Sequence, residues 1–341
     1  LSEYDPETRS KMDEMAENEK IMAIVRASRP QVSVIGVGGA GCNIVSWVKE
    51  KRGGVSGAKL IAANTDAVHL NIIKADRRIL LGEKTTHGMG AGGYAEKGAK
   101  AAMESIDQIK KDTAGSNIIY IATGLGGGTG TGASHVIANA LRPSGALMIG
   151  VVTLPFAVER FRFNSAKDGL NKLKSYCDTV VVIDNNKLAK LAGDLPLKQA
   201  LGVANELVGE FVKGITETIT TASLINIDFA DLRAIMEKRG IAAIGVGEGS
   251  GEDRVEKAVR QALDAQLLDI KDTTKAFGVL IHVVGGEDIR LEEVTKAGEI
   301  VTKSLPIKAR VVWGARVDSS LKGKVRVMVV LTGVESTFAQ E

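Results

Sequence analysis

Cysteine is almost absent: the 341 residues include only Cys42 and Cys177, in separate segments and without CxxC or Cys/His spacing. Neither a disulfide framework nor a cysteine-based zinc site is indicated, and a reducing interior fits this usage. Long apolar runs are missing too. The longest, ALMIGVVTLPFAV at 146–158, carries Gly150 and Pro155 and is too short to span a bilayer. The opening LSEYDPETRSKMDEMAENEK is charged throughout, so a secretory signal is not expected and a cytoplasmic location is. No block of one charge sign stands out, and the net charge is only +3, which argues against nucleic acid as a main partner. There is no internal repeat, no low-complexity tract and no Walker GxxxxGK[ST], so the chain is not a P-loop protein.

What is present is an ordinary globular composition, 44% hydrophobic and 25% charged, in a chain long enough for two domains with full cores. Residues 5–28 read as a leading helix, with Asp5 as N-cap, Pro6 in the first turn and Pro30 ending it. From 31 the pattern becomes QVSVIGV, a GGAG turn, the helical CNIVSWVKE and the strand-like AKLIAANTD, with further strand-like runs at 118–122, 146–153 and 179–183. Apolar, β-branched strands alternating with helices predict a Rossmann-like parallel sheet covered on both faces. A long helical pattern at 197–222 carries Leu197, Leu201, Leu207, Val208, Phe211, Val212 and Ile215 and reads as a core helix joining two domains. Beyond it the segment IAAIGVGEGSGED reads as a strand with a Gly-rich turn, followed by helices and the late strands ARVVWGARV and KVRVMVVLTGV. This half predicts a smaller α/β domain with a mixed sheet.

GLGGGTGTG, Gly124–Gly132, places six glycines and two threonines directly after an apolar strand. Such a cluster loosens regular structure unless bare backbone is useful. Gly36-Val-Gly38-Gly-Ala-Gly41 satisfies GxGxxG at a similar strand-to-helix junction, where backbone N–H groups at a helix N-terminus bind phosphate. Tight strand-to-helix packing would also call for glycine there. Asp66 resembles the ribose-binding acid of a dinucleotide fold, so a nicotinamide-dependent oxidoreductase is one alternative. That alternative leaves GLGGGTGTG unexplained. Two glycine loops converging on one crevice offer more N–H groups than a pyrophosphate needs, and a triphosphate fits better. Thr129 and Thr131 add hydroxyls without bulk, and GMGAGG at 88–93 is placed to close over a terminal phosphate.

GGGTGTG after a strand, the early GVGGAGCN, NTD at 64–66 and NIDFAD at 226–231, in this order, resemble the tubulin and FtsZ superfamily, and SGED at 250–253 resembles its FtsZ branch. The likeness covers about residues 31–335. It implies a GTPase that polymerises head to tail into protofilaments and builds the division ring at midcell. It also implies a GTP-binding domain at 31–196, a connecting helix at 197–222 and a GTPase-activating domain at 223–336. These would be preceded by an N-terminal helical extension at 1–30 and followed at 337–341 by the start of a tail through which membrane-anchor and regulator proteins bind. No nucleic-acid partner and no direct membrane insertion are expected.

By this resemblance Gly39, Ala40, Gly41 and Asn43 would hold phosphates and the guanosine side, and Asn64 and Asp66 would also belong to the GTP site. Gly126, Gly127, Gly128, Thr129, Gly130 and Thr131 would wrap the α and β phosphates, and Ala91 and Gly92 would meet the γ-phosphate. Cys42 stands where the family commonly has another glycine, which bears on close backbone approach at that position. Glu159, following Pro155-Phe156, would bind ribose. Arg162 is preferred to Arg160 as the phosphate-side arginine, though a solvated arginine is the plain reading of either. Asn185 and Asn205 would contact the base, with Leu201 replacing an aromatic residue that often stacks on guanine. Asn226, Asp228 and Asp231 would be catalytic, polarising the attacking water in the next subunit's pocket. Read locally, the two acids are a helix cap and first turn, and capping and catalysis are compatible. Mg²⁺ would be held chiefly by phosphate oxygens and water. A second reading within the superfamily is a filament scaffold controlling cell shape, with slow hydrolysis.

Overall fold

The computed structural model describes residues 19, 29–52, 54–193, 197–220, 225, 227–238, 240–264, 267, 268, 270, 275–303, 309–336 and 338. The expected leading helix at 5–28 lies outside them, apart from Glu19, which is helical.

Six parallel strands form first: β1 (Val32–Val37), β2 (Ala58–Asn64), β3 (Arg77–Leu80), β4 (Ile118–Gly124), β5 (Leu147–Leu154) and β6 (Thr179–Asp184). They are connected by α1 (Gly38–Arg52), α2 (Ala67–Ile72), α3 (Glu83–Thr86), α4 (Ala95–Glu104), α5 (Ile106–Thr113), α6 (Gly128–Leu141) and α7 (Arg160–Lys174). After β6 come α8 (Asn185–Ala192), α9 (Leu197–Thr220) and α10 (Phe229–Met236), then β7 (Gly240–Ser250), α11 (Arg254–Asp264), β8 (Gly278–Gly285), α12 (Leu291–Lys303), β9 (Arg310–Val317) and β10 (Lys324–Thr332). All ten strands form one sheet in the order β3-β2-β1-β4-β5-β6-β7-β10-β8-β9. The expected Rossmann-like parallel half and mixed second half are both present. They join where Thr179, Val180 and Val181 pair in parallel with Gly240, Ile241 and Ala242. Beyond that seam β10 is antiparallel to β7 and β8.

Alternation along buried strands sends successive side chains to opposite faces. Ile35, Ile119, Ile121, Val180 and Val182 belong to the core under α6 and α7. Val34, Tyr120, Val181 and Ile183 belong to the other core, under α1 and α9. The apolar pattern read along α9 is the seam that fills this second core: Val208, Phe211, Val212 and Ile215 are fully buried, each contributing about 1.5–3 kcal/mol by removal from water. Phe211 meets Tyr120 edge to face, 6.1 Å between centroids. The side chains of Leu197 and Leu201 lie outside the described set.

Two elements differ from the sequence reading. GVGEGS is strand, not turn: β7 runs on to Ser250 before the chain turns at Gly251–Asp253. Gly245, Gly247 and Gly249 alternate on the face beneath α11, where a Cβ would come within 1.8–2.0 Å of the carbonyl oxygens of Ala262, Ala258 and Arg254. Their absent side chains let the helix lie directly on the strand. Strand β3 escapes notice because it is four residues long, with Arg77 and Arg78 exposed at the sheet edge.

Candidate functional site

A cavity of about 260 Å³ opens at the carboxyl ends of the parallel strands. The order 3-2-1-4-5-6 reverses direction between β1 and β4, and an open α/β sheet leaves its ligand crevice at such a switch point. Gly39 and Ala40 line it from α1, Gly124, Leu125 and Gly127–Gly130 from the β4–α6 loop, Thr153–Pro155 from the end of β5, and Glu159, Arg162 and Asn185 from α7 and α8.

The local structure makes this a polyanion site. Helices α1, α6, α7 and α8 all start at the cavity, and none has an acid in its first turn. Four positive dipole ends therefore face one space; the first turn of α8 is capped by Asp184, which accepts from Asn186 N–H at 2.8 Å, so the bare N–H groups come chiefly from the glycine-rich starts of α1 and α6. Gly39 and Gly127 have nothing within 4 Å of an added Cβ, so their backbone is open to a ligand. Other loop glycines serve packing: a Cβ on Gly41 would sit 2.2 Å from the Ala122 oxygen, and one on Gly132 would sit 1.9 Å from the Ala95 oxygen. Both explanations of the glycines, bare backbone and tight packing, thus hold at different positions.

The side chains divide likewise. The Thr131 hydroxyl accepts from Gly126 N–H at 2.8 Å and stiffens the loop, while Thr129, at the cavity, shares a 2.6 Å hydrogen bond with Thr65. Arg162, not Arg160, lines the cavity, paired with Glu159, which also accepts from Phe156 N–H at 3.0 Å. Asn185 Oδ1 is buried with no partner among the described residues, an acceptor left for a ligand N–H or O–H. Cys42 does not affect backbone approach: it is fully buried among Ala62, Leu70 and Ile73, and burial pushes its thiol up to about 12.

Other candidates surround the cavity without lining it. Gly126 has φ +102° and lies buried beneath Arg162. Ala91 packs against Gly128, and Gly92 is exposed beside it in the 88–93 loop. Asn43, one turn along α1 from Gly39, is joined to Asn64 through His69. Asp66 caps α2, accepting from His69 N–H at 2.9 Å. Asn205 is half-buried on α9.

The acidic residues are elsewhere. Asp228 is the N-cap of α10, accepting from Ala230 N–H at 3.0 Å, and Asp231 is exposed in the first turn. Arg233 of that helix donates to Gly145 O, just before β5 starts, and Met236 O accepts from the Thr179 hydroxyl at the start of β6. Helix α10 therefore sits at the amino ends of strands whose carboxyl ends form the cavity, separated by the length of β5, roughly 25 Å. Asn226 lies outside the described residues.

Residues 31–193 match the model of the Tubulin/FtsZ family, GTPase domain, and residues 240–335 that of the FtsZ family, C-terminal domain. Cell division protein FtsZ 2 of Methanocaldococcus jannaschii is 46% identical over 90% of this chain and 80% of its own. The chain belongs to the tubulin/FtsZ family. Cell division protein FtsZ 1 of Archaeoglobus fulgidus is 45% identical over 93% of this chain and 86% of its own. The solved "FtsZ dimer, empty" of M. jannaschii superposes with a TM-score of 0.87 and 44% identity, covering 93% of this chain and 92% of that one. The glycine-lined cavity thus lies in the family's GTPase domain, and the nicotinamide alternative, which rested on GxGxxG and Asp66, gives way to that match.

Sequence reading missed several residues of this FtsZ-family cavity. Thr153 and Leu154 end a β5 that reads as uniformly apolar, and Leu125 is hidden among glycines. The usable signal was positional, because strand carboxyl ends at the switch point face the ligand. Thr65 and His69 were within reach, inside and just after the NTD motif.

Proposed function

We propose that this GTPase-domain protein binds GTP in the cavity at the strand carboxyl ends and hydrolyses it only when a second copy docks head to tail. The nucleotide domain would be 31–196, α9 the connector within 197–222, and 223–336 the activating domain. The observation that carries the proposal is this separation: an anion cavity at the carboxyl ends of the central strands, whose one carboxylate among the described lining residues, Glu159, is paired with Arg162, and exposed Asp231 at the amino ends of those strands. One subunit's acids do not reach its own cavity, but a head-to-tail neighbour brings them there. Such a contact is heterologous, and repeated it generates an open filament. A relative is described as an FtsZ dimer, and relatives of this similarity are named cell division proteins. Building the division ring at midcell is the corresponding cellular role.

In this reading Gly39, Ala40 and Gly127–Thr131 hold phosphates through N–H groups, Ala91 and Gly92 close on the γ-phosphate, and Arg162 offsets its charge. Arg162 is freed for this when Glu159 turns to the ribose. Asn185 Oδ1 takes a donor from the nucleoside, and Asn205 stands for the guanine edge. Asn226, Asp228 and Asp231 of the neighbour orient the water for in-line attack on the γ-phosphate, a reaction governed by positioning and charge stabilisation. No group of three or more metal-ligating side chains occurs among the described residues, and Glu159 is already paired. Mg²⁺ would accordingly be carried by phosphate oxygens and water, offsetting phosphate charge.

The test is phosphate release per molecule with Mg²⁺ and GTP, from nanomolar to tens of micromolar protein, with ATP as control. A GTP-specific rate that is near zero when dilute and rises above a threshold is expected. A rate independent of concentration would refute the shared site.

A further inference from the structure

The hydrogen bonds joining Asn43, His69 and Asn64 have a direction that follows from one backbone group. Thr65 N–H can only donate, and it donates to Asn64 Oδ1 at 2.9 Å. The orientation of the Asn64 amide is thereby settled, and its Nδ2, a donor, lies 3.1 Å from His69 Nδ1. That ring nitrogen must accept and carry no proton, so the proton of the neutral ring is on Nε2. Nε2 lies 3.0 Å from Asn43 Oδ1 and donates to it. The ring is held in place by its own backbone, whose N–H donates to the Asp66 cap at 2.9 Å. At the end of the chain Asn43 Oδ1 is turned towards His69 Nε2–H, and its Nδ2 has no partner among the described residues. Asn64 is buried and Asn43 exposed, so the sequence of bonds runs from the core to the surface one turn along α1 from Gly39.

We propose that His69 is a positioning residue for nucleotide binding: it fixes the Asn43 amide so that only N–H groups are presented to the ligand. A phosphate oxygen is acceptor-only, whereas an amide free to rotate would offer its oxygen half the time and repel the anion. The inference rests on the proposed placement of Asn43 against the nucleotide and adds to it a residue outside the glycine loops. It also explains why a half-buried histidine sits three residues after the cap Asp66, on the helix that follows NTD.

The relay needs an acceptor on one side and a donor on the other, at the spacing of the two ring nitrogens. A glutamine side chain supplies both at nearly that spacing, and leucine supplies neither. The experiment measures GDP and GTP affinity at protein concentrations too low for assembly, plus kcat at saturating GTP, for wild type, His69→Leu, His69→Gln, Asn43→Ala and the double variant Asn43→Ala/His69→Leu. His69→Leu should weaken both nucleotides about tenfold, the scale of one hydrogen bond lost to a charged group, with kcat kept at saturation. His69→Gln should bind within about twofold of wild type. The double variant should bind as Asn43→Ala alone, because the histidine acts only through that amide.

If Asn43→Ala weakens binding but His69→Leu does not, the relay is wrong while the site stands. If the two losses add, or if His69→Gln binds as poorly as His69→Leu, the histidine acts by some other route. Should Asn43→Ala bind as wild type does, Asn43 is not at the nucleotide and the inference falls with that assignment. Wild-type protein without affinity for either nucleotide would overturn the GTP reading itself.

Discussion

Asp228 and Asp231 are three residues apart and have different roles in the fold, which allows capping and catalysis to be separated by substitution. Asp228 accepts Ala230 N–H and caps α10, whereas Asp231 is exposed in the first turn. Asp228→Ala should lower unfolding stability by about 1 kcal/mol, the usual cost of a lost cap. Asp231→Ala should lower stability by about 0.3–1 kcal/mol, the contribution of an exposed acid in a helix's first turn. If Asp231 orients water in a neighbour's cavity, its alanine variant should slow hydrolysis by roughly 10²–10⁴-fold with GTP binding nearly intact. Denaturant unfolding alongside phosphate release and GTP affinity checks both. An Asp231→Ala protein with normal turnover would leave the acid as nothing more than a favourable charge at a helix start. The local reading of the two acids as cap and first turn is what the structure shows; the resemblance alone gave them one catalytic part.

At the scale of elements, α9 is held to the second half of the sheet by a buried polar contact that makes stability depend on pH. His282 of β8 is fully buried, its Nε2 2.8 Å from the Thr218 hydroxyl, which itself donates to Gly214 O. Burial, helped by the Arg316 charge, pulls the imidazole down from 6.5 to about 3. The folded protein therefore keeps His282 neutral while the unfolded chain protonates it, so stability falls as pH drops through the window from 6.5 towards 3. The slope should approach 1.4 kcal/mol per pH unit below about 6. His135, also held below its usual value by burial, acts in the same direction, so the difference between wild type and His282→Leu isolates this contact. Between pH 7 and 5.5 the denaturant midpoint of the wild type should fall further than that of His282→Leu; parallel curves would show that folding does not lower the His282 pKa. Nothing in IHVV signals this contact, because it depends on which helix crosses β8. Elements defined by periodicity were legible: β1, β4, β5, β6 and the Val208–Ile215 seam of α9 lie where apolar spacing put them. The second half of β7 was not, since glycine at every other position reads as a turn until a helix is known to lie on it. The cavity was legible as glycine loops, and opaque where its walls are ordinary strand ends such as Thr153.

For the whole molecule, the decisive feature is that one continuous sheet holds the cavity at the carboxyl ends of its central strands and α10 at their amino ends. A rigid spacer of this kind makes catalysis by a single subunit geometrically remote and catalysis between subunits natural, which predicts complementation between two inactive proteins. Asp231→Ala retains an intact cavity. Gly39→Glu retains an intact α10, and nothing lies within 4 Å of the Gly39 Cβ position, so a side chain can leave the backbone there without a clash at its first atom; a wild-type denaturant midpoint checks that the fold is kept. It places a carboxylate where phosphate is proposed to bind, so each variant alone should be nearly inert. Mixed in equal amounts above the assembly threshold, they form junctions in which an Asp231→Ala cavity faces a Gly39→Glu neighbour's intact acids. For a heterologous contact with random order this is about one junction in four, so phosphate release should recover to about a quarter of the wild-type rate. Diluting the mixture below the threshold should abolish the recovery, because it exists only at the contact. If each subunit carried its own complete site, the mixture would be no more active than its parts, and the separation across β5 would then have to be bridged by movement of α10 within one chain.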